Sequence, residues 1–102
     1  MTESHSFGAL LRAYRRAARL TQLQVQSRLA DQGYQIMDST LSMWETGRRL
    51  PNDSAVFDFL GQVLHLTEAQ EAALLDACLS EHTMAYLKPY WVRKEQRADG
   101  AA

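Results

Sequence analysis

Two sets of side chains in this sequence could do chemistry. The first is a scatter of nucleophiles and metal-ligating groups. His5, His65 and His82 have no ligand spacing with one another or with Cys78. No serine sits in a nucleophile elbow, and no Gly-rich loop could cradle a phosphate. Catalysis, a bound metal and a cofactor are therefore not expected. The second set is a concentration of guanidinium groups. Residues 12–49 carry seven arginines against three acids, whereas residues 50–87 carry six acids and no Lys or Arg. Residues 88–102 return to four bases against two acids, and the whole chain nets −1. An anionic partner such as nucleic acid would meet the first half of the chain, and the acidic middle would face away.

Positioning these groups falls to short helices. Phe7, Leu10, Leu11 and Tyr14 recur at i, i+3, i+4 and i+7, predicting an amphipathic helix over 6–18. Arg12, Arg16 and Arg19 mark its other side, either a solvated face or a phosphate-facing edge. Thr21 and Gln24 form a capping box, with Leu20 and Val25 at the positions of a hydrophobic staple. A second helix is thus predicted from about Gln22 to Ala30. Gly33 in "DQGYQIMD" allows a positive φ. A third helix follows over about 39–46, with Leu41 and Trp44 inward and Gly47 ending it. "NDSAVFDFLGQVLHL" gives a fourth, with Val56, Phe57, Leu60, Val63 and Leu64 on its apolar stripe. The box Thr67–Gln70 opens a fifth, running at least to Leu79 and stopped no later than Pro89. The last residues pair an aromatic cluster with a charged end.

The chain has 102 residues, 46% of them hydrophobic and 23% charged, which is one globular domain with a single modest core. The lone Cys78, among Leu74, Leu75 and Leu79, reads as a buried hydrophobe. No apolar run would span a bilayer and no secretory signal is visible, so no membrane partner and a cytoplasmic location are expected.

Two short helices joined by a turn, the second followed by Gly47 and paired arginines, outline a helix-turn-helix. "LLRAYRRAARLTQLQVQSRLA", "STLSMWETGRRLP" and "VFDFLGQVLHLTEAQEAALL" together resemble the Xre/Cro-like, phage-repressor type of helix-turn-helix regulator. The resemblance implies an all-α, compact five-helix DNA-binding domain over residues 6–79. Residues 80–102 are left as a C-terminal helix extension and tail, a candidate dimerisation or partner segment. It implies a sequence-specific double-stranded DNA-binding regulator, a repressor foremost, that acts as a homodimer and inserts its third helix into the major groove.

Carried over residue by residue, the resemblance makes Gln22 a backbone-contacting residue at a helix N-terminus, where a phosphate fits. Arg48 and Arg49 become phosphate contacts. Arg15 pairs with Glu45 to aim the third helix, structural first and DNA-facing second. With Leu41, Trp44, Glu45 and Gly47 building that helix, Asp38, Ser39, Thr40, Ser42 and Met43 are left toward the groove. None of the usual guanine or adenine readers is among them; Ser and Thr bond either type of base, and Met43 suits a thymine methyl. Asp38 reads first as the N-cap of the third helix and second as a base contact.

Two departures stand out. Arg19 occupies the place where a glycine commonly ends the first helix. The connection between helices two and three is about five residues longer than in compact phage repressors; Tyr34 and Gln35 there could approach the DNA backbone, while Ile36 reads as core. A different class stays open beside the regulator, a protein-interaction or antitoxin-like module with weak or no DNA binding. Its partner would meet the acidic 50–87 surface and the C-terminal aromatic tail.

Overall fold

In the computed structural model, the backbone is described for residues 6–101 and the side chains for residues 6–85. The expectations for His5, and for the side chains of Tyr86, Leu87, Tyr90, Trp91 and Val92, lie outside the described residues. Five helices follow in order: α1 (Phe7–Ala17), α2 (Gln22–Asp31), α3 (Thr40–Thr46), α4 (Ala55–Val63) and α5 (Glu68–Ala101). The described residues contain no strand, so the all-α reading holds.

Local signals decide where the helices begin. The Ser6 hydroxyl accepts from the Ala9 amide at 3.1 Å. Both capping boxes form: Thr21 with Gln24 at 3.1 and 2.9 Å, and Thr67 with Gln70 at the same distances. Such a cap satisfies orphan N–H groups and stabilises by about 1 kcal/mol. Glu81 of α5 adds a tertiary cap, its Oε2 accepting the Phe7 amide at 2.6 Å.

The ends share one geometry. After α1, α2, α3 and α4 the chain passes through a left-handed residue: Arg19 (φ 61°), Gly33 (94°), Gly47 (81°) and His65 (56°). The next amide then reaches back five residues, from Leu20 to Arg15 (3.2 Å), Tyr34 to Leu29 (2.9 Å), Arg48 to Met43 (3.0 Å) and Leu66 to Gly61 (2.9 Å). This reach-back satisfies carbonyls the last turn leaves open. Arg19 therefore does what a glycine would, at a steric cost of roughly 1–2 kcal/mol.

Two expectations are corrected. Asp38 does not cap α3. A turn closed by the Thr40 amide on the Met37 carbonyl (3.0 Å) leads straight into the helix, and the residue before it, Ser39, is already near-helical (φ −95°, ψ −1°) with no side-chain cap bond. A capping side chain needs an extended residue at that place. Asp38 instead accepts from Gln26 Nε2 at 3.0 Å, tying the long connection to α2. Nor does Pro89 stop the last helix, which runs on to Ala101. A proline removes one N–H and leaves the carbonyl four residues back without its helical donor; the ladder resumes on either side.

Phe7, Leu11, Val25, Leu29, Leu41, Trp44, Val56, Leu60, Leu74 and Cys78 meet in one core. α1 packs against α3 and α5, α2 against α3 and α4, and α4 against α5. Gly8 sets the first of these distances. A Cβ there would meet the Glu45 carbonyl head-on and lie 2.7 Å from the Trp44 carbonyl.

Candidate nucleic-acid interface

Glu45 ends the buried side of α3, and its side chain is wholly removed from solvent. A lone carboxylate so placed would be costly; this one has four hydrogen bonds. Arg15 grips it with Nε on Oε2 at 2.6 Å and Nη2 on Oε1 at 3.0 Å. Gln22 Nε2 donates to Oε1 at 3.0 Å, and Arg12 Nε reaches the same oxygen at 3.4 Å. Burial pushes the carboxyl pKa up. The hydrogen bonds from Arg15 and Gln22, with the Arg15 charge and the Arg12 bond, outweigh it and hold the carboxyl below its ordinary value. The Arg15 guanidinium is correspondingly raised by its bond to Glu45, against burial. Arg15 also donates Nη1 to the Leu20 carbonyl at 2.9 Å, so one guanidinium fastens both α3 and the turn after α1.

The expected Arg15–Glu45 pair is thus formed. Gln22 belongs to it too: the residue expected to meet a phosphate has its amide drawn onto Glu45. Arg12, read as part of a solvated or phosphate-facing stripe, also joins the group. No spacing in the sequence signals either contact, because the partners stand 23 and 33 positions apart.

With Leu41, Trp44 and Glu45 buried, α3 turns a small face outward. Ser39 is exposed and Ser42 and Met43 are half-buried on that face. Exposed Thr46 shares it, its hydroxyl bonded back to the Ser42 carbonyl at 3.0 Å. Helical periodicity alone could have added Thr46 to the expected readers. Thr40 lies apart from them. It lines a cleft of about 610 Å³ with Trp44, Arg48 and Arg49, closed on the far side by Glu81 and His82 of α5. His82 Nε2 there donates to the Pro51 carbonyl at 2.9 Å. Arg48 and Arg49 are exposed just beyond Gly47.

In the long connection, Tyr34 is half-buried with its ring 5.1 Å from Phe59, so it packs on α4. Burial, with the nearby Asp53 charge, raises its phenol pKa. Ile36 packs against the core as expected, and Gln35 is exposed. Among the described residues no group of His, Cys, Asp and Glu could hold a metal, and no helix is long and apolar enough to cross a membrane.

A turn linking two short helices, the second anchored by its buried edge and open along the other, is the architecture of a helix-turn-helix. The family profile described as a helix-turn-helix domain matches residues 6–74, and the chain belongs to that family. No curated protein and no solved structure matches it. The membership accords with the Xre-like resemblance and suggests a DNA-binding regulator.

Proposed function

We propose that the protein is a sequence-specific double-stranded DNA-binding transcriptional regulator, a repressor that works as a two-fold dimer. α3 enters the major groove, with Ser39, Ser42 and Met43 toward base edges and Thr40 and Asp38 at the margin. Arg48 and Arg49 hold the phosphate backbone, Gln22 contributes the backbone N–H at the start of α2 while its side chain stays on Glu45, and Arg15 adds positive charge behind them. Base contacts specify and phosphate contacts fix register. A repressor needs only to occupy its site.

The observation that carries this reading is the buried Glu45 carboxylate under four hydrogen bonds. It locks α3 to α1 and α2 and leaves an outer face on which Ser39 and Thr46 are exposed and Ser42 and Met43 half-buried. Such a fixed helix is what a rigid reading head requires. The outer face is uncharged apart from Asp38, so readout leans on thymine methyls and DNA shape more than on guanine contacts.

Selection of bound duplexes from a random pool tests it. Enrichment of a two-fold sequence is expected, with affinity falling linearly on a log–log salt plot at a slope of about −0.9 per phosphate neutralised. If no duplex is enriched at moderate salt, the regulator reading fails and the fold serves a protein partner.

A further inference from the structure

Gln22 and Gln26 stand four residues apart, on one face of α2. Each gives its side-chain amide to a carboxylate at one end of α3, Gln22 to Glu45 and Gln26 to Asp38, both at 3.0 Å. The two carboxylates then differ. Glu45 is wholly buried under its four hydrogen bonds. Asp38 is exposed; among the described residues Gln26 is its one side-chain donor, and no Arg or Lys pairs with it. A carboxylate offers about four acceptor sites. Asp38 therefore keeps most of its capacity for something outside the chain.

Its place is held twice. The turn closed by the Thr40 amide on the Met37 carbonyl fixes the backbone, and Gln26 fixes the side chain. Restraint of that kind spares a reading group the entropy of being ordered on contact. Asp38 also stands just ahead of α3, where a recognition helix brings its first residues to base edges. An acid there is repelled by phosphates, so it weakens binding to every sequence that does not offset it. Cytosine offsets it best. In the major groove cytosine presents its N4 amino donor alone, adenine sets the N7 acceptor beside its amino group, and guanine and thymine present acceptors. An acceptor-only side chain meets a partner at the first, a mixed edge at the second and repulsion at the other two.

We infer that Asp38, oriented by Gln26, accepts from N4 of a cytosine at one position of each half-site and excludes the other bases there. Its selectivity comes as much from the unpaired charge it sets against a wrong base as from the bond to the right one. Gln26 is a positioning residue that acts on DNA only through Asp38. The inference rests on the DNA reading of the proposed function and names one of the bases read.

Selection from a random duplex pool by wild type, Asp38→Ala, Asp38→Asn and Gln26→Ala tests it, followed by titration of the selected duplex with each base changed in turn. Wild type is expected to enrich cytosine at one position of each half-site and to bind guanine or thymine there roughly tenfold more weakly. Asp38→Ala should abolish the preference at that position alone. It should also bind duplexes lacking the cytosine roughly threefold more tightly than wild type does, because a negative charge has left the interface. Asp38→Asn, which donates as well as accepts, should move the preference toward adenine. Gln26→Ala keeps the charge, so the cytosine preference should shrink severalfold without that gain for other sequences. Asp38 is exposed, so its variants leave the core alone. A selected duplex with every base preference unchanged in Asp38→Ala overturns the inference and leaves the regulator reading standing. Equal weakening of all duplexes by Asp38→Ala or Gln26→Ala also overturns it, since the pair would then only brace the connection. If wild type enriches no duplex at all, the inference falls together with the reading it rests on.

Discussion

Gly8 of α1 lies flat against the end of α3, where a methyl group would sit 2.7 Å from the Trp44 carbonyl and closer still to that of Glu45. Both obstacles are backbone, so neither can swing aside. Alanine would favour the helix itself by about 1 kcal/mol. Overpacking costs typically 1–3 kcal/mol and also moves α3 against its neighbours. The second effect should win. Gly8→Ala is expected to lower stability in urea by up to about 2 kcal/mol. It should also weaken binding to a selected duplex, since α3 cannot keep its place.

Arg15 supplies two of the four hydrogen bonds on Glu45. Breaking a buried pair by removing one partner costs about 3–5 kcal/mol. Arg12 and Gln22 remain in Arg15→Ala, which puts the expected loss near the lower figure, still a large share of a small domain's stability. The pH signature separates lost charge from lost packing. The folded Glu45 pKa is held below its ordinary 4.5. Its contribution is thus present above that value and disappears as pH falls through the folded one. Wild type should lose stability over that acid range, and Arg15→Ala should show a flatter profile there. An equally steep profile in both would remove Glu45 as the source.

Glu71 has the opposite sign. Burial, then the hydrogen bond and charge of Asp58, then the charge of Glu68, raise its carboxyl above the ordinary 4.5. A group raised in the folded state stabilises below its unfolded value and loses that contribution as pH rises through the folded one. Glu71→Gln keeps a hydrogen-bonding group beside Asp58 and removes the charge. Its melting temperature should exceed wild type near neutral pH and match it near pH 3.

The four helix ends allow a paired experiment. Arg19 and His65 hold positive φ with side chains that disfavour it. Gly33 and Gly47 hold it freely, with nothing within 4 Å of the place a methyl group would occupy. Relief of the left-handed strain (roughly 1–2 kcal/mol) should exceed the added chain entropy of glycine (roughly 0.5–1 kcal/mol). Arg19→Gly and His65→Gly are therefore expected to raise the melting temperature by a few degrees. Gly33→Ala and Gly47→Ala should lower it by a similar amount. Since no atom is displaced in the alanine variants, the change measures backbone conformation alone.

Much of this fold was legible because its signals are local. Thr21, Gln24, Thr67 and Gln70 act over three residues, and the apolar stripes repeat within a turn. Arg19 stood out for the same reason, by occupying a glycine's place. Contacts that cross the chain had no such mark. Nothing about Gly8 announces a neighbour 37 positions away, beyond a glycine inside an otherwise regular helix. Gln22 looked free for a phosphate because the helix N-terminus favours one. Its amide is instead drawn to a buried charge whose burial only tertiary packing creates. Asp38 failed as a cap because the preceding turn enters the helix already coiled, a backbone choice that residue type does not fix.

Two substitutions separate holding from reading in the proposed interface. Arg48 is exposed beside α3 and meets no described ion-pair partner. Arg48→Ala should weaken binding to every duplex alike and flatten the salt slope by about one. Met43 lies on the half-buried edge of the outer face. Met43→Ala should change which duplexes are selected, by roughly 1–3 kcal/mol at the base pair it touches, and leave the salt slope alone. Competition among selected and scrambled duplexes at several salt concentrations reads both effects at once. If Met43→Ala weakens all sequences equally, α3 meets DNA by another face, and the base-reading roles of Ser39 and Ser42 fall with it.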